Sequence, residues 1–456
     1  MLHWRINRLS ESVAEATLPT PMAQIANFNV GIHPMNEMIL TGLFLAALGI
    51  SVAIQWWLSS RHTQHIKAHR AEVPAAFADR IDLDSHQKAA DYTLAKVALG
   101  KLELLFSSAL LLVWTLGGGL ELLNTLWLKA GWSELWTGSV FLLSMFAIIS
   151  IIDIPFSLYR TFVLESRFGF NNTTMKTFII DFFKGMILTA VIGVPLLLVV
   201  LWLMGNTGPL WWLWVWAVWT GFGLFMMWAY PAFIAPFFNK FSELEEGALR
   251  DRIVGLLQRC GFKSNGIFIV DGSKRSGHGN AYFTGLGKNK RIVFFDTLIE
   301  SLNDDEVEAV LAHELGHFKH KHILKRIVSM TIFSLCGLAL LGWLISQNWF
   351  YTGLGMSEAS LHGALALFML VIPVFTFFLH PIMAAFSRKH EFEADAFAAE
   401  VSNAGTLIMA LVKLYKENAN TLTPDPLYSS FHDSHPPASI RIAHLTEQGA
   451  NKLATE

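Results

Sequence analysis

Between Lys184 and Lys240 the chain carries no Asp, Glu, Lys or Arg. A helix on the surface of a soluble protein shows water a polar face every turn or two, so a run this long without charge is not a surface element. About 20 apolar residues cross a bilayer, and Gly205-Asn206-Thr207-Gly208-Pro209 divides the run as a tight turn. The stretch reads as a helical hairpin in lipid. Buried core helices of a large soluble protein are the competing reading, and composition opposes it. Charged residues make up 15% of the chain and apolar ones 53%, with 16 Trp and 35 Phe, against about 25% charged in soluble proteins.

Seven spans follow from the same criterion: Met38–Leu58, Leu104–Leu120, Leu135–Ile152, Gly185–Met204, Leu210–Ile234, Ile327–Ser346 and Ala364–Phe386. Lys and Arg number seven, one, four and none in the first four connections, at 59–103, 121–134, 153–184 and 205–209. The connection at 235–326 carries fourteen and that at 347–363 none. Cytoplasmic segments collect positive charge, so the first, third and fifth connections and the C-terminal tail are assigned to the cytoplasm. The N-terminus then lies on the other side. Residues 1–37 read as a poorly ordered extension, or as the product of an upstream start with Met22 or Met35 as the true one. They do not read as a secretory leader, because the first apolar run begins too deep.

The remaining sequence divides around these spans: 38–234 holds spans one to five, 235–326 and 387–456 read as two parts of a water-facing domain, and 327–386 holds spans six and seven. In the first part, Gly266–Val270, Asn280–Gly285 and Arg291–Phe295 are β-branched and aromatic with Gly-rich breaks, the pattern of short strands. Asn303-Asp304-Asp305-Glu306 then starts a helix, with Glu306 in the capping-box position. A formal net charge of −2 gives no nucleic-acid signal, and two cysteines, Cys260 and Cys336, exclude both a disulfide framework and a Cys-rich metal site.

On the helix begun at Asn303 stands His313-Glu314-Leu315-Gly316-His317. Residues i and i+4 share one helix face, so both imidazoles reach one ion, and neutral imidazole suits Zn²⁺. Glu314 is turned about 100° from His313 and about 60° from His317. It stands beside the metal, in the general-base position of a zincin. A third ligand is needed, and Glu391, beyond the sixth and seventh spans in Glu391-Phe392-Glu393-Ala394-Asp395, can complete a His₂Glu set. Asp395 lies on the same face and can hydrogen-bond the far nitrogen of a liganding His. His435 and Arg441 lie downstream in a cluster open to two readings, an oxyanion-stabilising group or a surface loop. His320 and His322 read as part of a basic collar with Lys319, Lys321, Lys325 and Arg326. His380, inside the seventh span, reads either as functional or as satisfying a helix backbone broken by Pro381.

Taken together these residues resemble the type I CAAX prenyl protease family, integral-membrane zinc metalloproteases. The resemblance extends to Glu165-Ser166-Arg167-Phe168-Gly169-Phe170-Asn171, Pro236-Phe237-Phe238-Asn239-Lys240-Phe241, Asn280-Ala281-Tyr282-Phe283, Lys288-Asn289-Lys290-Arg291-Ile292-Val293, Ser387 through Ala398, and Ser434-His435-Pro436-Pro437 with Arg441. It implies a membrane all-α fold, about seven helices enclosing a chamber, with a gluzincin-like α+β zinc catalytic domain at the cytoplasmic face. It implies one Zn²⁺ per chain on His313, His317 and Glu391, Glu314 as base, and His435 and Arg441 near the scissile peptide. It also implies that the Asn280, Ala281, Tyr282, Phe283 strand pairs with substrate backbone.

The function expected is therefore endopeptidase cleavage releasing C-terminal tripeptides from prenylated proteins. The alternative is a bacterial quality-control protease acting on unprenylated membrane proteins. Partners are a peptide or protein substrate and the lipid bilayer, with no nucleic acid, and the oligomeric state stays open. The Lys/His-rich stretch after His317 and the short loops favour a bacterial inner membrane over the endoplasmic reticulum.

Overall fold

A computed structural model describes residues 34–284 and 291–455. The extension through residue 33, Gly285 at the end of an expected strand, and Lys288-Asn289-Lys290 lie outside the described residues.

Seven helices are long and apolar enough to cross a membrane. They are α1 (Asn36–His69), α2 (Leu83–Trp114), α3 (Glu134–Phe168), α4 (Met175–Asn206), α5 (Gly208–Phe238), α8 (His322–Leu344) and α9 (Leu361–Val401). Between α5 and α8 lie α6 (Ala248–Arg259) and α7 (Asp304–Lys319); α10 (Ala404–Glu417) and α11 (Ala438–Thr455) follow α9. The expected second span, Leu104–Leu120, sits too far along. Its helix stops at Trp114, and Gly118, at φ +77°, turns the chain into the short helix Gly119–Leu128. Several spans are locally rewound near proline, which lacks an N–H and crowds the preceding turn. A π turn at Thr189–Gly193 precedes Pro195, another at Tyr230–Ile234 contains Pro231, and a 3₁₀ turn at Phe377–Leu379 lies between Pro373 and Pro381.

The spans pack tightly at one end. Phe44 of α1, Trp114 of α2, Phe141 and Met145 of α3, Met204 of α4, Trp211 of α5, Leu341 of α8 and Leu367 of α9 form one buried cluster. Each of these lies in the half of its span away from the catalytic domain. The outer faces of the spans stay apolar and uncovered, as at Phe183, Val191, Trp214, Phe225 and Phe233. Such a surface is stable in lipid and a liability in water. A cavity of about 810 Å³ lies between α1, α2 and the catalytic domain.

The catalytic domain has its own core, in which Ile253, Leu256, Phe294, Leu298, Leu311, Leu315, Leu411 and Leu445 meet. One face of this core is a four-stranded sheet of β1 (Phe241–Glu243), β2 (Ile267–Val270), β3 (Ala281–Thr284) and β4 (Arg291–Phe295), in the order β1-β2-β4-β3. β2 and β4 are parallel; the other pairs are antiparallel. β1 was not expected: three residues, two of them polar, give no alternating pattern to read. β3 is an edge strand, which matters below.

Candidate metal centre

Helix α7 begins on a complete capping box. Asn303 Oδ1 accepts from the Glu306 N–H at 3.0 Å, and the Asn303 N–H donates to Glu306 Oε2 at 2.9 Å. Val307, Val310, Leu311 and Leu315 face the domain core and fix the helix rotation. His313 and His317 are thereby turned toward α9. The two helices approach closely because position 316 is glycine. A Cβ there would lie 2.8 Å from Ala394 Cα and 2.9 Å from its carbonyl oxygen, closer than atoms pack.

This approach brings three donors together. His313 Nε2 lies 3.4 Å from Glu391 Oε2, His317 Nε2 lies 3.4 Å from Glu391 Oε1, and the two imidazole nitrogens are 3.3 Å apart. Donors about 2.0–2.2 Å from a tetrahedral centre stand about 3.3–3.6 Å from one another, so the triangle has the size a zinc-like ion requires. Glu391 is only 3% exposed, and its Oε2 is buried without a hydrogen-bond partner. An ionised oxygen is costly to bury that way, and a cation beside it removes the cost. The donor set and this orphaned oxygen both fit a metal.

Around the triangle sits a second layer. Asp395, fully buried, accepts from His313 Nδ1 at 2.8 Å, which leaves Nε2 as a lone pair aimed at Glu391. His317 Nδ1 lies 3.0 Å from His322 Nδ1, and His322 Nε2 lies 2.8 Å from Glu393 Oε2. If His317 Nε2 is the metal donor, its hydrogen is on Nδ1 and goes to His322, whose own hydrogen goes to Glu393. The network assigns these tautomers. The expectation for His322 is corrected here. It is 4% exposed and behind His317 rather than in a basic collar. The reason is Lys321, whose left-handed φ of +56° folds the chain back between α7 and α8.

Glu314 lines the cavity beside His313 and Glu391. Burial pushes its carboxyl above the usual range. His313 is buried too, which disfavours its charge, yet the Asp395 carboxylate bonded to it and the Glu391 carboxylate beside it raise its imidazole overall. Burial, with His313 beside it, pushes His317 down.

His435 Nε2 lies 3.3 Å from Glu391 Oε1, its side chain 63% exposed on the cavity, and Ser434 Oγ lies 2.9 Å from its Nδ1. Arg441 differs from expectation. It is 8% exposed and grips Asp395 with two bonds, at 2.8 Å from Nε and 2.6 Å from Nη2. Its Nη1 lies 3.8 Å from Glu391 Oε2. Its guanidinium is thus held against these two carboxylates. His380 does not satisfy the backbone of its own broken helix. Its Nδ1 donates to the Phe431 carbonyl at 3.1 Å, tying α9 to the short helix Pro426–His432. Of the expected substrate strand, Asn280 and Ala281 line the cavity, whereas Tyr282 packs edge-on to Phe295 and Phe283 to Phe318.

Sequence reasoning missed Gly316, His322 and Glu393 as parts of this site. Glu393 is two residues from Glu391, a spacing that puts side chains on different helix faces, so nothing in the pattern linked it to the histidines.

The family profile described as the CAAX prenyl protease N-terminal region, five membrane helices, matches residues 62–240. That of peptidase family M48 matches residues 243–448. CAAX prenyl protease 1 of Saccharomyces cerevisiae is 33% identical over 440 residues, covering 90% of this chain and 95% of its own length. The human CAAX prenyl protease 1 homolog is 31% identical over 451 residues, covering 88% and 95%. The crystal structure of S. mikatae Ste24p superposes with a TM-score of 0.81 at 31% identity, covering 91% of this chain and 100% of that one. These relatives are eukaryotic, and the bacterial expectation draws no support from them. The chain belongs to peptidase family M48, among the CAAX prenyl proteases, as a multi-pass membrane metallopeptidase.

Proposed function

We propose that this chain is a zinc endopeptidase that releases C-terminal tripeptides from prenylated proteins, with its site facing the cytoplasm. One Zn²⁺ is held by His313, His317 and Glu391. The observation that carries the reading is the donor triangle with Glu314 beside it, opening on a cavity bordered by membrane spans. Because α1 and α2 line that cavity, an acyl chain can lie against the spans while the peptide reaches the donors.

A Zn²⁺ on these three residues would supply Lewis acidity to the scissile carbonyl and to the attacking water. Glu314 takes the proton from that water and delivers it to the departing amine; a carboxyl raised by burial suits both halves of the transfer. His435, which lines the cavity beside Glu391, donates to the carbonyl oxygen as negative charge develops. Arg441 fixes Asp395, and Asp395 fixes the His313 tautomer, so both are positioning residues. Ala281 presents main-chain groups to the substrate backbone, which gives affinity with little dependence on side chains.

Glu314→Gln is expected to retain metal and to lose cleavage of a fluorogenic farnesylated peptide by at least about 10²–10⁴-fold. Near-normal turnover in that variant refutes the base assignment. Comparing the farnesylated peptide with its unprenylated twin tests the substrate class. Equal cleavage of the two favours quality-control proteolysis instead.

A further inference from the structure

The cavity that holds Glu314 and Glu391 also holds a lysine. Lys96, on α2, is exposed into it, and among the described residues it makes no ion pair. The other strong cation of the lining, Arg441, is committed to Asp395, and His435 lies against Glu391. Lys96 is therefore the strong cation of the lining with no carboxylate at ion-pair distance among the described residues, although the Glu165 carboxylate nearby attracts it.

Its position is fixed by a chain of contacts ending at the substrate strand. Lys96 Nζ lies 4.0 Å from the centre of the Tyr92 ring. The Tyr92 hydroxyl donates to Glu165 Oε1 at 2.7 Å and lies 3.4 Å from His278 Nε2. Gly279 N–H donates to Asn418 Oδ1 at 3.0 Å, and the same oxygen lies 3.3 Å from His278 Nδ1. Lys96 thus stands close to the backbone that leads into β3.

The direction of a bound peptide follows from the pairing of β3. Phe295 N–H donates to the Asn280 carbonyl at 2.9 Å, so Asn280 faces β4. Antiparallel alternation then turns the main-chain groups of Ala281 to the open edge. The Ala281 N–H meets only its neighbour's side chain there, Asn280 Oδ1 at 2.8 Å, a contact a substrate carbonyl can replace. A peptide added antiparallel to β3 runs its C-terminus toward Gly279 and His278, the Lys96 side. Three extended residues reach about 10 Å, so a tripeptide leaving group ends inside the cavity. A carboxylate there needs a cation.

We propose that Lys96 receives the free C-terminal carboxylate of the substrate. The proposal rests on the tripeptide-release reading above. It makes the enzyme a reader of the chain end, in which charge at the terminus rather than side-chain identity selects the bond.

The test uses the full chain in lipid vesicles and two farnesylated fluorogenic peptides, identical except for a C-terminal carboxylate or carboxamide. The wild type is expected to prefer the carboxylate by at least about tenfold in kcat/KM. In Lys96→Met that ratio falls to about one, and in Lys96→Arg it is largely kept. A wild type that cleaves both peptides equally overturns the proposal while leaving the peptidase reading intact. So does a Lys96→Met variant with an unchanged ratio. If the wild type cleaves neither peptide, the tripeptide-release reading falls and takes this proposal with it.

Discussion

Helix α7 and the hairpin of α4 and α5 have opposite relations to their surroundings. In α7, Val307, Ala309, Leu311, Ala312 and Leu315 are all within 1% of full burial, and one glycine sets the distance to α9. In the hairpin, Trp202, Trp214, Trp219 and Phe225 are each more than half exposed, and Gly221 and Gly223 have nothing within 4 Å of an added Cβ. One region is specified by contact with other parts of the protein, and the other by the solvent it lies in. Lipid accepts any apolar side chain of suitable size, whereas the ion requires three atoms placed to a few tenths of an ångström.

The contrast can be broken at several points. The largest effect is expected for Glu391→Ala, which removes a ligand and the buried charge together. Metal content should fall to background and cleavage with it, as read by elemental analysis of the purified chain. Retained stoichiometric metal would mean that the triangle is not the binding site. His322→Ala should be milder, weakening metal binding about 10–100-fold in a chelator competition, because it loosens the partner of His317 rather than a ligand. An unchanged affinity would make His322 ordinary packing. Gly316→Ala is expected to cost about 1–3 kcal/mol by forcing α7 off Ala394, while Gly221→Ala stays within about 1 kcal/mol of neutral or stabilises through helix propensity. Thermal unfolding in the same detergent compares the two directly. Equal shifts would abolish the distinction between the regions.

These regions also differed in what their residues announced. The hairpin is legible from the missing charges alone, since solvent-driven structure leaves its signature in composition. The ligand helix is legible because His313 and His317 obey the helix period and Asn303 with Glu306 marks its start. What lay hidden depends on tertiary contact. His322 follows His317 by five residues, a spacing with no meaning on a continuous helix, and the left-handed Lys321 supplies the bend that gives it one. Gly316 sits at an unrestricted position of the motif, and only Ala394, far along the chain, shows why it is small. Arg441 was legible as a cation near the site, but its grip on Asp395 was not, because a guanidinium's partner is a matter of geometry. Lys96 was one of seven positive residues in a connection counted for topology; only the cavity separates it from the others.

Two bilayer crossings, α8 and α9, separate His317 from Glu391 in the chain. A ribosome-bound or half-inserted polypeptide therefore lacks a working centre, however well its water-facing parts fold. The three donors meet only once both helices are seated, so assembly of the candidate centre waits on completed membrane integration.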